Sequence, residues 1–139
     1  MTQGTVEYNK PLPELKGLNK EFYDHCKAHN LSFQRCLSCR TWRHVPRDMC
    51  DECGSDQWEW AKSSGKGKIF SWTVVHRALH PSFKEDIPYG VAIVEMDEGV
   101  RIVSQVVDCP TDEIRLGMPV TIVYDDVTPE VTLPKFRRI

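Results

Sequence analysis

Between residues 36 and 54 the chain reads Cys36-Leu-Ser-Cys39-Arg-Thr-Trp-Arg-His-Val-Pro-Arg-Asp-Met-Cys50-Asp-Glu-Cys53-Gly54. Two Cys-x-x-Cys pairs stand ten residues apart. A two-residue gap lets a tight turn aim two thiolates at one tetrahedral ion, and two such knuckles close a four-sulfur shell. Gly54 supplies unrestricted φ where the chain leaves the second turn. The connection is shorter than the roughly 15–20 residues of the commoner pattern. That length predicts a compact ribbon with a short two-stranded hairpin between the knuckles. The spacing predicts one zinc ion on Cys36, Cys39, Cys50 and Cys53. Iron in a rubredoxin-type centre uses the same geometry and stays open. Four thiolates leave no position for a reactive water, so the metal is expected to be structural.

Outward from the ribbon, the N-terminal side divides in two. Residues 1–13, with Pro11 and Pro13, read as an extended arm. From Glu14, the residues Leu15, Leu18, Phe22 and Cys26 recur at three- and four-residue steps, predicting an amphipathic helix over 14–29 with Asn30 as its C-cap. A helix this short must dock to persist, either on its own domain or on a partner. Leu15, Leu18, Phe22 and Tyr23 are the partner-docking candidates.

On the C-terminal side, Ser63-Ser64-Gly65-Lys66-Gly67-Lys68 reads as a flexible polar joint. Strands are then predicted over 69–79 (Phe70, Trp72, Val74 and His76 on one face), 89–96, 100–107 and 119–127. A fifth strand is expected within 131–139, interrupted by Pro134. Asp97-Glu98-Gly99 reads as a hairpin turn with Gly99 at positive φ. Five short strands suit a small closed barrel of the OB type. The organisation expected is an arm and helix over 1–30, a zinc ribbon over 31–62 and an OB-fold domain over 63–139.

The chain has 139 residues, 40% hydrophobic and 27% charged, which suits a globular protein. Residues 31–68 carry seven Lys and Arg against five acids, whereas 69–139 carry seven against eleven. An acidic barrel argues against a nucleic-acid partner, even though Phe70 and Trp72 could stack on bases. The N-terminus lacks the basic head and apolar core of a signal peptide, and no stretch has the roughly 18 apolar residues of a membrane helix. A cytoplasmic location and no membrane contact are therefore expected, and reduced thiols there favour metal ligation over disulfides. Cys26 and Cys109 read as packed thiols, His25 and His29 as an exposed helix face, and Glu95 and Asp97 as solvated surface. Trp42, Trp58 and Trp60 are expected to cover the metal and pack ribbon on barrel. His80, in the loop after the first barrel strand, is the one histidine placed where loops carry function.

The order of motifs resembles one family. Phe33-Gln34-Arg35-Cys36-x-x-Cys39 precedes Pro46-Arg47 and Cys50-x-x-Cys53-Gly54-Ser55. Trp60, Ser64-Gly65-x-Gly67, Ile69-x-Ser71-x-Thr73-Val74-Val75, Pro88-Tyr89-Gly90-Val91-Ala92 and Leu116-Gly117-x-Pro119-Val120 follow. Over residues 15–139 this is similar to the zinc-ribbon OB-fold proteins catalogued as domain of unknown function thirty-five. The chain departs from that pattern at Arg40 and Thr41, which stand where glycine is usual. The resemblance implies a mainly β fold: N-terminal helix, rubredoxin-like zinc ribbon and C-terminal OB-fold barrel. It also implies an accessory subunit, non-catalytic or co-catalytic, that helps a thiolase-superfamily partner form an acyl-coenzyme A channel in a hetero-oligomer. A thiolase-like aldolase of steroid side-chain degradation is favoured among such partners. A thiolase and HMG-CoA synthase pair or an acyltransferase are alternatives. A CoA thioester would be the ligand of the complex, and Arg43, Arg47, Lys66 and Lys68 are candidates for its phosphates. A nucleic-acid-binding OB module, or a stand-alone enzyme using His80 or Cys109, are readings from other classes.

Overall fold

The computed structural model describes residues 8–139. The first seven positions, and with them most of the predicted arm, lie outside the described residues. Helix α1 spans Gly17–Lys27, shorter at both ends than the apolar spacing predicts. Gly17 sits at φ +59, which turns residues 14–16 off the helix axis. At the other end His29, not Asn30, takes the left-handed position at φ +55. Its N–H reaches Cys26 O at 2.9 Å, while Asn30 N–H reaches His25 O at 2.9 Å.

The ribbon is a three-stranded antiparallel sheet in the order β2-β1-β3, built from β1 (Ser32–Cys36), β2 (Trp42–Arg43) and β3 (Trp58–Lys62). Only the two-residue β2 lies between the knuckles. The pairing strand precedes the first knuckle, so the predicted hairpin between the knuckles is replaced by a sheet that flanks them. The reason is local: Pro46 and the sharp turns at the knuckles leave only Trp42 and Arg43 extended enough to pair with Arg35 and Gln34.

The second unit is a closed five-stranded barrel in the order β4-β5-β6-β8-β7. Its strands are β4 (Lys66–Val75), β5 (Tyr89–Met96), β6 (Arg101–Val107), β7 (Pro119–Asp126) and β8 (Thr132–Arg138). The mainly β fold with one helix, ribbon and OB-type barrel is as expected. β5 alternates cleanly, turning Gly90, Ala92, Val94 and Met96 inward. Gly99 takes φ +95 in the β5–β6 turn. A bulge between Ile69 and Ser71 interrupts β4, which stops at Val75. Phe70 therefore leaves the shared face of Trp72 and Val74, and His76 falls beyond the strand. Pro134 does not break β8. The parallel ladder to β6 begins only at Phe136, so no ladder bond on that side is lost.

The stretch after the ribbon is pinned rather than flexible. Ser63 is buried and its hydroxyl donates to Glu98 Oε1 at 2.6 Å, while Ser64 N–H donates to Glu98 Oε2 at 2.9 Å. Gly65 N–H reaches Ser63 Oγ at 3.0 Å, and β4 starts one residue later. A Cβ on Gly65 would meet Ile122 Cγ2 at 2.6 Å, and its φ of +76 disfavours a side chain as well. The glutamate of a hairpin turn thus clamps the ribbon's exit to the barrel.

Helix, ribbon and barrel share one core. Phe22 and Cys26 from α1, with Leu31 and Phe33 from the ribbon, pack in the same buried cluster as Ile69, Val94, Ile102, Val120 and Phe136. The helix lies against β8, β1 and β7. The Phe22 and Cys26 part of its apolar face is therefore spent inside the molecule. Phe22 is 3% exposed and cannot meet a partner, which corrects its place among the docking candidates. Leu15, Leu18 and Tyr23 are half-buried.

Candidate metal centre and interface

The sulfurs of Cys36, Cys39, Cys50 and Cys53 all lie within 4.8 Å of one another. The pairs Cys36–Cys53 and Cys39–Cys50 stand at 3.6 Å each. A tetrahedral ion with zinc–sulfur bonds of about 2.3 Å sets its ligands about 3.8 Å apart, so the four residues fit zinc. Each knuckle turns a backbone N–H inward, as where Cys39 N–H approaches Cys36 Sγ at 3.5 Å. That contact is the largest cause holding the Cys36 thiol down at about 6. Cys53 is instead pushed up to about 12: the N–H of Ser55 pulls it down, but lost solvent and the three neighbouring sulfurs outweigh this. Four sulfurs so close do not ionise together without a cation among them. Bound there, zinc supplies cross-linking between the knuckles and no open coordination position.

The two knuckles are built alike. Arg40 N–H bonds to Cys36 O at 3.0 Å and Gly54 N–H to Cys50 O at 2.8 Å, each closing its turn. Gly54 has φ +77 and Arg40 has φ +67. Arg40 therefore adopts the left-handed conformation that glycine would take without strain, and the turn survives the departure from the family pattern.

Gln34 holds the ribbon's interior together. It is fully buried, its amide donates to Arg47 O at 2.9 Å, and its carbonyl accepts from Arg47 N–H at 2.7 Å and Arg43 Nε at 2.9 Å. Arg43 also donates to Arg47 O at 2.7 Å and lies over the Trp58 ring. Arg43 is 6% exposed, so it is a structural group and not a phosphate ligand, contrary to expectation. No local residue signals this, because Gln34 and Arg43 meet only through the pairing of β1 with β2. The other cations are exposed but are not gathered. Arg47 lies 3.8 Å from Asp51 in the ribbon, while Lys66 and Lys68 stand on β4, where Lys68 is 3.7 Å from Glu95.

The tryptophans tie the ribbon to the helix more than to the barrel. Trp60 donates to Glu21 Oε1 at 3.0 Å, packs on His25 at 5.2 Å and meets Trp58 edge-on at 5.3 Å. Trp42 lies under the Arg35 guanidinium. His29 does not simply face solvent: it stacks on Tyr124 at 4.6 Å and bonds to Asp126 at 3.0 Å. The hydroxyl of Thr132, foremost, and His29 hold the Asp126 carboxyl below its usual range. His44, which the sequence did not single out, is wedged between Phe22 at 4.8 Å and Phe33 at 5.2 Å, and burial holds it down at about 4.

Other candidates resolve into structural roles. His80 Nδ1 lies 2.6 Å from Ser82 Oγ and accepts from Ser82 N–H, capping the short turn Pro81–Phe83. Burial pushes the Cys26 thiol up to about 12, which makes it inert. Cys109 is half-buried. Glu95 pairs with Arg101 at 3.3 Å, and Asp97 accepts from Ser64 Oγ at 3.2 Å.

Residues 24–59 match the family described as the rubredoxin-like zinc ribbon domain of ChsH2, and residues 60–125 match the ChsH2 C-terminal OB-fold domain. A DUF35 domain-containing scaffold protein of Methanothermobacter thermautotrophicus is 41% identical over 105 residues, covering 75% of this chain and 78% of that protein. The chain belongs to the DUF35 family of zinc-ribbon OB-fold proteins. A probable enoyl-CoA hydratase alpha subunit of Thermomonospora curvata is 39% identical over 128 residues. The alignment takes in 92% of this chain but 40% of that subunit. The chain likewise spans 33% of the 3-oxo-4,17-pregnadiene-20-carboxyl-CoA hydratase alpha subunit of Mycobacterium tuberculosis, at 34% identity. Among solved structures, a chain of the Ltp2-ChsH2(DUF35) aldolase superposes with TM-score 0.81 at 38% identity. The match covers 93% of this chain and 98% of that one. A DUF35 protein of Sulfolobus solfataricus shares the fold, with TM-score 0.60 at 11% identity. Among the described residues no helix is long and apolar enough to cross a membrane.

Proposed function

We propose that this DUF35 protein is an accessory subunit of a thiolase-superfamily acyl-CoA enzyme, with a thiolase-like aldolase as the leading partner. The observation that carries the reading is the match to a chain of the Ltp2-ChsH2(DUF35) aldolase over 98% of that chain's length. The chemistry of this chain agrees. Its metal centre is closed by four sulfurs, and the fully buried thiol outside that centre, Cys26, is inert. In a retro-aldol cleavage of a β-hydroxyacyl thioester, a base takes the β-hydroxyl proton. The Cα–Cβ bond then breaks, and the released thioester enolate is protonated at Cα. The larger subunit would supply those groups, and this chain would shape the channel that holds the acyl-CoA. Arg47, Lys66 and Lys68 remain the cations here for the CoA phosphates. The scaffold proteins of methanogenic archaea, at 40–41% identity, favour a second reading as the bridge of a multi-enzyme acyl-CoA complex.

Affinity purification of the tagged chain from its native host, with mass spectrometry of what accompanies it, tests the reading. A stoichiometric thiolase-superfamily protein supports it. A chain that purifies alone, or with nucleic acid, contradicts it.

A further inference from the structure

Arg43 is a buried cation without an acid. Its Nε and Nη2 donate only to uncharged oxygens, Gln34 Oε1 at 2.9 Å and Arg47 O at 2.7 Å. Nη1 is buried with no hydrogen-bond partner, and among the described residues no carboxylate pairs with the group. The other ribbon arginines differ. Arg35 and Arg40 share Glu59, at 2.5 Å and 4.0 Å, and Arg47 faces Asp51 at 3.8 Å. The Trp58 ring, 5.9 Å from the guanidinium, offers a quadrupole but no net charge. A guanidinium taken out of water normally requires a negative partner.

The metal centre supplies negative charge on the same framework. A divalent ion held by four thiolates leaves two negative charges uncancelled. Gln34 and Cys36 stand two apart on β1, so their side chains leave the same face, separated by about 7 Å of strand. Cys36 pairs across the sheet with Trp58, the residue whose ring the guanidinium meets. On the other side, Arg47 leads into the second knuckle three residues before Cys50. Gln34 binds both backbone groups of Arg47, donating to its carbonyl at 2.9 Å and accepting from its N–H at 2.7 Å. Arg43 is thus fixed between the stems of the two knuckles, in an interior where charge is poorly screened.

We infer that Arg43 is the counter-charge of the metal–tetrathiolate centre. It partly cancels the two negative charges left there, and so raises the ribbon's affinity for a divalent ion. The same charge discriminates between oxidation states. Ferric iron on four thiolates retains one negative charge, whereas zinc or ferrous iron retains two, so a neighbouring cation favours the divalent ions.

The test uses the full chain as wild type, Arg43→Met, Arg43→Lys and Gln34→Glu, with Arg47→Met as the exposed control. Zinc affinity is read by competition with a chromogenic chelator, and the midpoint potential by redox titration of the iron-loaded chain. Arg43→Met is expected to bind zinc about tenfold more weakly and to lower the iron potential. Gln34→Glu keeps the side-chain shape but gives the guanidinium an acid of its own, and is expected to do the same. Arg43→Lys keeps the charge, and Arg47→Met leaves the buried cation in place; both are expected to hold the wild-type potential. Weaker zinc binding by Arg43→Met at an unchanged potential overturns the charge role and leaves Arg43 a packing group. Affinity and potential both unchanged in Gln34→Glu overturn it too, even where Arg43→Met does not fold. An equal drop in Arg47→Met has the same force, because the effect would then belong to the ribbon's overall charge.

Discussion

The hydroxyl of Tyr124, on barrel strand β7, accepts a hydrogen bond from the backbone N–H of Leu31 at 2.8 Å. That N–H belongs to the residue joining α1 to the ribbon, and His29 stacks on the same ring. One barrel side chain thus fixes the point where all three units meet. Tyr124→Phe keeps the stacking and removes the acceptor, leaving a part-buried N–H unpaired. The loss expected in urea denaturation is about 1–2 kcal/mol. A change below a few tenths would mean that water replaces the hydroxyl without cost.

The two knuckles make a matched pair for testing the strain at Arg40. Replacing Arg40 by glycine relieves a left-handed residue worth roughly 1 kcal/mol and loses only a long surface contact to Glu59 at 4.0 Å. Arg40→Gly should raise the melting temperature. Gly54→Arg should lower it, because that residue also sits at φ +77. Cys50→Ser, which removes a metal ligand, should release zinc and unfold at least the ribbon, since metal binding is folding free energy in such modules. Full metal content in Cys50→Ser would contradict the site.

His44 gives the protein a defined acid sensitivity. Burial holds it at about 4 against an ordinary value of 6.5, so between these values the unfolded chain binds a proton that the folded chain does not. Stability is whole above pH 6.5 and falls as pH drops towards 4, by on the order of 3 kcal/mol in total. His44→Phe, which keeps the contacts to Phe22 and Phe33, should flatten the slope between pH 6.5 and 5. An unchanged slope would place the acid sensitivity elsewhere.

Substitution should separate Arg43 from the β4 lysines. Arg43→Ala removes one of the two donors to the Gln34 side-chain carbonyl together with the donor to Arg47 O, and is expected to cost about 2–4 kcal/mol of stability. Lys66→Ala with Lys68→Ala should leave melting unchanged and raise KM for the acyl-CoA several-fold if those cations meet its phosphates. Unchanged KM would remove them from the ligand's path.

The metal ligands were legible because four cysteines at knuckle spacing admit few other uses, and the barrel because its strands alternate. β5 could be bounded to the residue. What escaped was set by long-range packing. The stretch Ser63–Lys68 has the composition of a linker, and distant groups make it rigid: Glu98 holds Ser63 and Ser64, while Lys66, Gly67 and Lys68 pair with β5 and β7. Arg43 reads as a surface cation until Gln34 is seen to bury it. The bulge at Phe70 shifts a side chain from one face to the other, and no local residue announces it. The helix face was equally ambiguous, since an apolar stripe does not say whose core it enters.

The most direct measurement is cleavage of a β-hydroxyacyl-CoA by the co-purifying larger subunit, assayed alone and with this chain added back. Cleavage is expected to depend on the chain and to saturate at a fixed stoichiometry. Full cleavage by the larger subunit alone, unchanged on addition of this chain, would contradict it.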